Sequence, residues 1–125
     1  MMSGYLDPTA TTSPATVTVT LPSAISGAYD VYVYCYANID PRTRTYRYAI
    51  GTTTHSWTQQ GPSATTFPGY NLAPDGGTGS NYDYVRFQNV TGATFTLTAT
   101  PPSATGGTSV RSPVNGIQIV YPAGS

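Results

Sequence analysis

The chain is 125 residues long, enough for about one domain that closes a core without metal or disulfide. Only 8% of residues are charged, every cation is arginine, every acid is aspartate, and the formal net charge is zero. That balance excludes the dense positive field a nucleic-acid backbone requires, and the absence of lysine excludes a Schiff base and a Lys–Asn isopeptide cross-link.

Threonine, glycine, serine, proline and tyrosine dominate, no sustained 3.6-residue apolar period occurs, and no helix beyond a turn or two is expected. No run approaches the ~18 apolar residues of a membrane span, so membrane insertion is not expected. Met1-Met2-Ser3-Gly4 lacks the basic and apolar regions of a signal peptide. A secreted protein would then be represented by an excised piece, with residues 1–15 as leader or linker.

The first strand is Thr16 to Leu21, with Val17, Val19 and Leu21 turned inward and the threonines outward. Tyr29 to Tyr36 alternates strictly, placing Tyr29, Val31, Val33 and Cys35 on one face and Asp30, Tyr32, Tyr34 and Tyr36 on the other. One face reads as core and the other as a ladder of phenols. Cys35, the single cysteine, has no internal disulfide partner and reads as a small buried hydrophobe.

Thr43 to Ile50 carries Arg44, Tyr46, Tyr48 and Ile50 on one side and is expected to return antiparallel beside the tyrosine strand. Gly51 is read as opening a long irregular stretch that holds Trp57 and Tyr70, with one short strand near His55 to Thr58. Tyr82 to Gln88 points Val85 and Phe87 inward beside Asp83. Thr94 to Thr98 points Phe95 and Leu97 inward, and the two segments read as a second hairpin. Gly116 to Tyr121 closes the domain. The whole is all-β: an antiparallel β-sandwich of jelly-roll type with about eight strands over residues 16–121, followed by a tail at 122–125.

Catalysis finds little material. His55 is the lone imidazole, follows three threonines without an oriented partner, and reads as a surface or packing residue. Glycoside cleavage would draw on Asp7, Asp30, Asp40, Asp75 and Asp83, of which Asp7 and Asp40 precede prolines and Asp75 sits in a Pro-Asp-Gly-Gly turn. The chain therefore reads as non-catalytic. No cofactor is expected beyond a structural calcium, for which Asp75 and Asp83, with Asn71 or Asn81, offer part of an oxygen set; ordinary turn capping accounts for the same residues.

Sugar binding asks for less: a flat ring against the apolar face of a pyranose, with planar polar groups for its hydroxyls. The candidate ligand-binding residues are Trp57, Tyr32, Tyr34, Tyr36, Tyr46, Tyr48 and Tyr70, drawn from a pool that also holds Tyr82 and Tyr84, with Arg44 and Arg47 as polar partners. Against this stands the plain alternative that tyrosines are good strand formers that fill a second packed face. Trp57 is singled out because it stands in a polar segment between His55 and Gln59-Gln60.

Three motifs carry a resemblance: Tyr29-Asp30-Val31-Tyr32-Val33-Tyr34 after a Thr-Val-Thr-Val-Thr strand, Asn81-Tyr82-Asp83-Tyr84-Val85-Arg86-Phe87, and Asn115-Gly116-Ile117-Gln118-Ile119-Val120. Together they resemble β-sandwich modules of large secreted or surface proteins of environmental bacteria, similar to galactose-binding-domain-like and carbohydrate-binding folds. The resemblance implies an extracellular, non-catalytic role in binding polysaccharide or glycan. It gives no fixed binding residues. The alternative is a structural or adhesive sandwich, monomeric or weakly self-associating through an open sheet edge.

Overall fold

The computed structural model describes residues 14–35, 44–59, 69–79, 82–100, 103–104 and 113–124, and of Arg44, Gln59, Ser103 and Ala104 the backbone alone. These residues form nine strands and no helix: β1 (Ala15–Thr20), β2 (Tyr29–Tyr34), β3 (Arg44–Ile50), β4 (Thr53–Gln59), β5 (Thr78–Gly79), β6 (Tyr84–Val90), β7 (Thr94–Ala99), β8 (Ser103–Ala104) and β9 (Gly116–Val120). One sheet runs β1-β7-β3-β4-β5 with β8 beside β3, and the other runs β6-β2-β9. Every pairing is antiparallel except that of β4 with β5.

Period-two alternation decides what each strand buries. In β2 and β6 the alternating buried set is Tyr29, Val31, Val33, Val85 and Phe87, with Cys35 and Asp83 just beyond the strands, and Asp30 is buried out of phase with it. The larger sheet contributes Tyr46, Tyr48, Ile50, Trp57, Phe95, Leu97 and Ala99 to the same core. Ring contacts join the two layers, Tyr29 to Phe95 at 6.1 Å between centroids and His55 to Phe87 at 4.7 Å edge to face. His55 is thus a packing residue. The outward residues of β1 and β7 are threonines in direct register, Thr16, Thr18 and Thr20 opposite Thr98, Thr96 and Thr94.

Two expected hairpins are not formed. β3 does not return beside the tyrosine strand; it lies in the other sheet between β4 and β7. Alternation fixes which residues share a face but carries no information about which sheet a strand joins. Likewise β6 and β7 belong to opposite sheets, and the connection between them crosses the sandwich. Tyr29 Oη donates to the Gly92 carbonyl at 2.8 Å and the Leu21 amide donates to Ala93 at 2.8 Å, fixing that crossing to both layers.

A real hairpin stands where an irregular stretch was expected. Ile50 pairs with Thr53 across the two-residue turn Gly51-Thr52, and Gly51 has φ 59°, the left-handed value that a type II′ turn places at its first central residue. The strand that follows is seven residues long and places Trp57 opposite Tyr46.

The carboxy-terminal residues read as a tail are docked. The Ala123 amide donates to Ala28 at 3.0 Å, and the Gly124 amide donates to the buried Asp30 carboxylate at 3.1 Å. The proposed leader lies outside the described residues except for Pro14 and Ala15.

Trp57 is 2% exposed, stacked on Tyr48 and edge-on to Tyr46. Trp57→Ala is expected to lower unfolding stability by about 3–5 kcal/mol, read as a shift in the urea midpoint. The exposed Arg47→Ala should change it by no more than about 0.5 kcal/mol.

Candidate functional site

β2 lies at the centre of the three-stranded sheet, so its outward side chains have neighbours on both sides. Tyr34 stands opposite Tyr84 of β6 and Gly116 of β9, while Tyr32 stands opposite Arg86 and Gln118. Register thereby gathers tyrosines that are about fifty residues apart in sequence. The Tyr32 and Tyr84 rings stack at 5.9 Å and 16°, Tyr34 meets Tyr84 at 5.9 Å, and Tyr70 meets Tyr34 edge to face at 5.5 Å. Four phenols form one connected outer surface, in which Tyr32, Tyr34 and Tyr84 are half-buried against one another and Tyr70 is 53% exposed.

Polar groups are set among the rings. Tyr34 Oη donates to Gln118 Oε1 at 2.8 Å, and the Arg86 guanidinium belongs to the same face. Burial first, then the neighbouring phenols Tyr70, Tyr84 and Tyr32, then Asp83, push the Tyr34 hydroxyl above the usual tyrosine range, so it stays a neutral donor. On the other flank, a Cβ placed on Gly116 would meet nothing within 4 Å. Glycine there leaves the side of Tyr34 uncovered.

The segment carrying Tyr70 is tied to β6 by backbone. Leu72 bridges Tyr84 in parallel, the Ala73 amide donates to Tyr84 at 2.8 Å, and the Asp83 amide donates to Asn71 at 3.0 Å. The Asp83 carboxyl completes the tie by accepting the Asn71 amide through Oδ1, while its buried Oδ2 has no hydrogen-bond partner among the described residues. Burial raises this carboxyl to about 6, with the amide hydrogen bonds opposing the shift.

The sequence-derived candidates separate into distinct places. Tyr32, Tyr34 and Tyr70 come together with Tyr84. Trp57, Tyr46 and Tyr48, expected on a ligand-facing surface, are core residues instead: β3 and β4 turn them into the shared layer, where Tyr48 Oη donates to the Pro113 carbonyl at 2.7 Å. Arg47 is exposed on the outer face of the larger sheet, away from the tyrosines. The side chain of Arg44 and the whole of Tyr36 lie outside the described residues.

Asp75 and Asp83 are engaged separately. Asp75 Oδ1 accepts the Ser56 amide at 2.9 Å and lies 3.9 Å from His55 Nδ1, which is turn and strand capping, whereas Asp83 serves the Asn71 segment. Among the described residues no three His, Cys, Asp or Glu side chains converge on a point. Cys35 is fully buried and its thiol is pushed up by burial, with Tyr48 as a hydrogen-bond partner, so it is an inert apolar filler.

Arg86 and Gln118 join this face although the sequence alone does not single them out. Their signal was present as alternation, since Arg86 shares a face with Tyr84 and Gln118 lies two residues from Gly116, but only strand register shows that they flank Tyr32. No family model, no curated protein and no solved structure matches the chain significantly. A functional reading therefore rests on the geometry of this face and on the motifs themselves.

Because the folded-state value of Asp83 lies above the unfolded 3.8, the native state holds this proton more tightly than the unfolded chain does. Its contribution favours folding at low pH and is lost as pH rises from about 4 through about 6. Asp83→Asn should flatten this part of the profile, measured as urea midpoints of both proteins at acidic and neutral pH. A parent profile that rises over the same interval would contradict the assignment.

Proposed function

We propose that the domain, a jelly roll in the reading from sequence, is a non-catalytic carbohydrate-binding module of a larger secreted or surface protein. The observation that carries this reading is the connected outer surface of Tyr32, Tyr34, Tyr70 and Tyr84. The core is closed by the inner faces of both sheets, so these four rings are not needed to fill it. Phenol rings offer faces to the C–H side of a sugar, and Gln118, Arg86 and the phenol hydroxyls offer hydrogen bonds to its hydroxyls. The near-neutral composition suits an uncharged glycan chain. Ring-to-ring contacts already restrict the side chains, which reduces the ordering that binding would otherwise require.

Against a panel of neutral polysaccharides, Tyr32→Ala and Tyr84→Ala are each expected to weaken retention about tenfold or more, equivalent to about 1.4 kcal/mol. Gly116→Val should weaken it as well, by filling the open flank of Tyr34. Affinity electrophoresis reads all three, and unchanged mobility of every variant on every polysaccharide that retards the parent would remove the site from this face.

A second reading, an adhesive or structural module making protein–protein contacts, is favoured by a different observation. Among the described residues β1 is an edge strand of six residues without charge or proline, and β9 is an edge of the smaller sheet, whose other edge, β6, is bridged by Leu72. Such edges accept an added strand. If this is the working surface, sedimentation should show concentration-dependent multimers that Thr18→Lys abolishes, with no retention on glycans.

A further inference from the structure

A cleft of about 420 Å³ opens at the end of the sandwich where the β3–β4 turn faces the connection from β6 to β7. Ile50, Phe87 and Phe95, each less than a tenth exposed, close its floor, and Thr53, Gln88, Asn89 and Thr91 are among its polar groups. None of the described residues that line it is charged. A concave site of this size, apolar below and rimmed by a few neutral hydrogen-bonding groups, matches small-ligand pockets in general.

The rim is held by a device that the sandwich itself does not require. Between β2 and β6 the register jumps, from Tyr29 opposite Val90 to Val31 opposite Phe87, so Gln88 and Asn89 together face the single residue Asp30. This is a β-bulge, a feature that bends a strand and re-aims its side chains. Asn89 at its apex has φ 57°, the left-handed region that asparagine tolerates better than most residues. Its amide donates to Asp30 Oδ1 at 3.0 Å, while Asp30 Oδ2 accepts the Gly124 amide at 3.1 Å. Asp30 is only 3% exposed. Burying a carboxylate is costly unless it is paired or hydrogen-bonded, and here its two oxygens fix the cleft wall and the chain's end.

We propose that this cleft is a second saccharide site, taking a single neutral sugar ring in its mouth whose hydroxyls meet Gln88, Asn89 and the threonines, over a floor that Ile50, Phe87 and Phe95 close. It rests on the reading of the domain as a glycan binder, but it is a different place from the tyrosine surface. Phe87 faces the interior, whereas Tyr84 and Arg86 of the same strand face outward. The uncharged lining excludes phosphorylated and uronic ligands, which would leave a desolvated charge without a partner.

The test is amide chemical-shift mapping on the labelled protein with the methyl glycosides of glucose, galactose, mannose and N-acetylglucosamine as probes. At least one should give saturable shifts at Thr52, Thr53, Gln88 to Thr91 and Thr94 to Thr96. Gln88→Ala and Asn89→Gly, the latter compatible with the left-handed backbone, should weaken that binding about tenfold, the loss expected for one neutral hydrogen-bonding group. Tyr84→Ala should leave it unchanged. Thermal midpoints confirm folding, and the exposed Gln88→Ala carries the test alone if Asn89→Gly does not fold. No saturable shift at these amides with any probe, or equal affinity in the folded variants, overturns the proposal. Shifts confined to Tyr32, Tyr34 and Tyr84 overturn the cleft and leave the tyrosine surface standing. Shifts confined to the cleft support it and tell against that surface.

Discussion

Phenol hydroxyls inside the core must find acceptors, and the positions of those acceptors tie the connecting segments of this domain to its sheets. Tyr29 reaches the Gly92 carbonyl at the sheet-to-sheet crossing, and Tyr48 reaches the Pro113 carbonyl before the last strand. A buried hydroxyl without a partner is penalised by roughly 1–3 kcal/mol, so each bond constrains where its loop can run. With 8% charged residues, the chain has little scope for ion pairs to do the same work. Tyrosine supplies the apolar area of the core and, through its oxygen, the attachment of the loops.

The same residue type serves two layers. In β2, Tyr29 points into the core, whereas Tyr32 and Tyr34 point out of it, and the bulge opposite Asp30 marks the end of the strand at which pairing changes register. β6 is similarly divided. Its inward residues Val85 and Phe87 close the core, its outward residues Tyr84 and Arg86 join the tyrosine surface, and Gln88 with Asn89 borders the end cleft. One strand therefore couples the packing of the domain to both surfaces on which the proposed function depends.

Faces were legible in the sequence where alternation was strict. Val31, Val33 and Cys35 on the buried side, Tyr32 and Tyr34 on the other, and Val85, Phe87, Phe95 and Leu97 inward all follow from a period of two. Sheet membership was not legible, because nothing in Arg44 to Ile50 or Thr94 to Ala99 distinguishes a hairpin return from a crossing to the opposite layer. The burial of Trp57 is hidden in the sequence for a related reason. Its neighbours Thr54, Ser56 and Thr58 are polar because they face outward, so a mixed composition hid an alternating strand. The turn signal Gly51-Thr52 was present and would have revealed it. The cleft could not be foreseen, since it depends on a bulge and on a carboxylate that binds backbone amides about sixty and ninety residues away in sequence.

The interior position of Trp57 has an optical consequence. The only indole of the chain is stacked 5.5 Å from Tyr48 and screened from solvent, so its emission reports the integrity of the core. Unfolding would expose it to water and shift that emission, whereas a sugar laid across Tyr32, Tyr34 and Tyr84 would touch other fluorophores. The domain thus carries an internal gauge of folding that is spatially separate from its tyrosine surface, and the two signals can be followed in one cuvette.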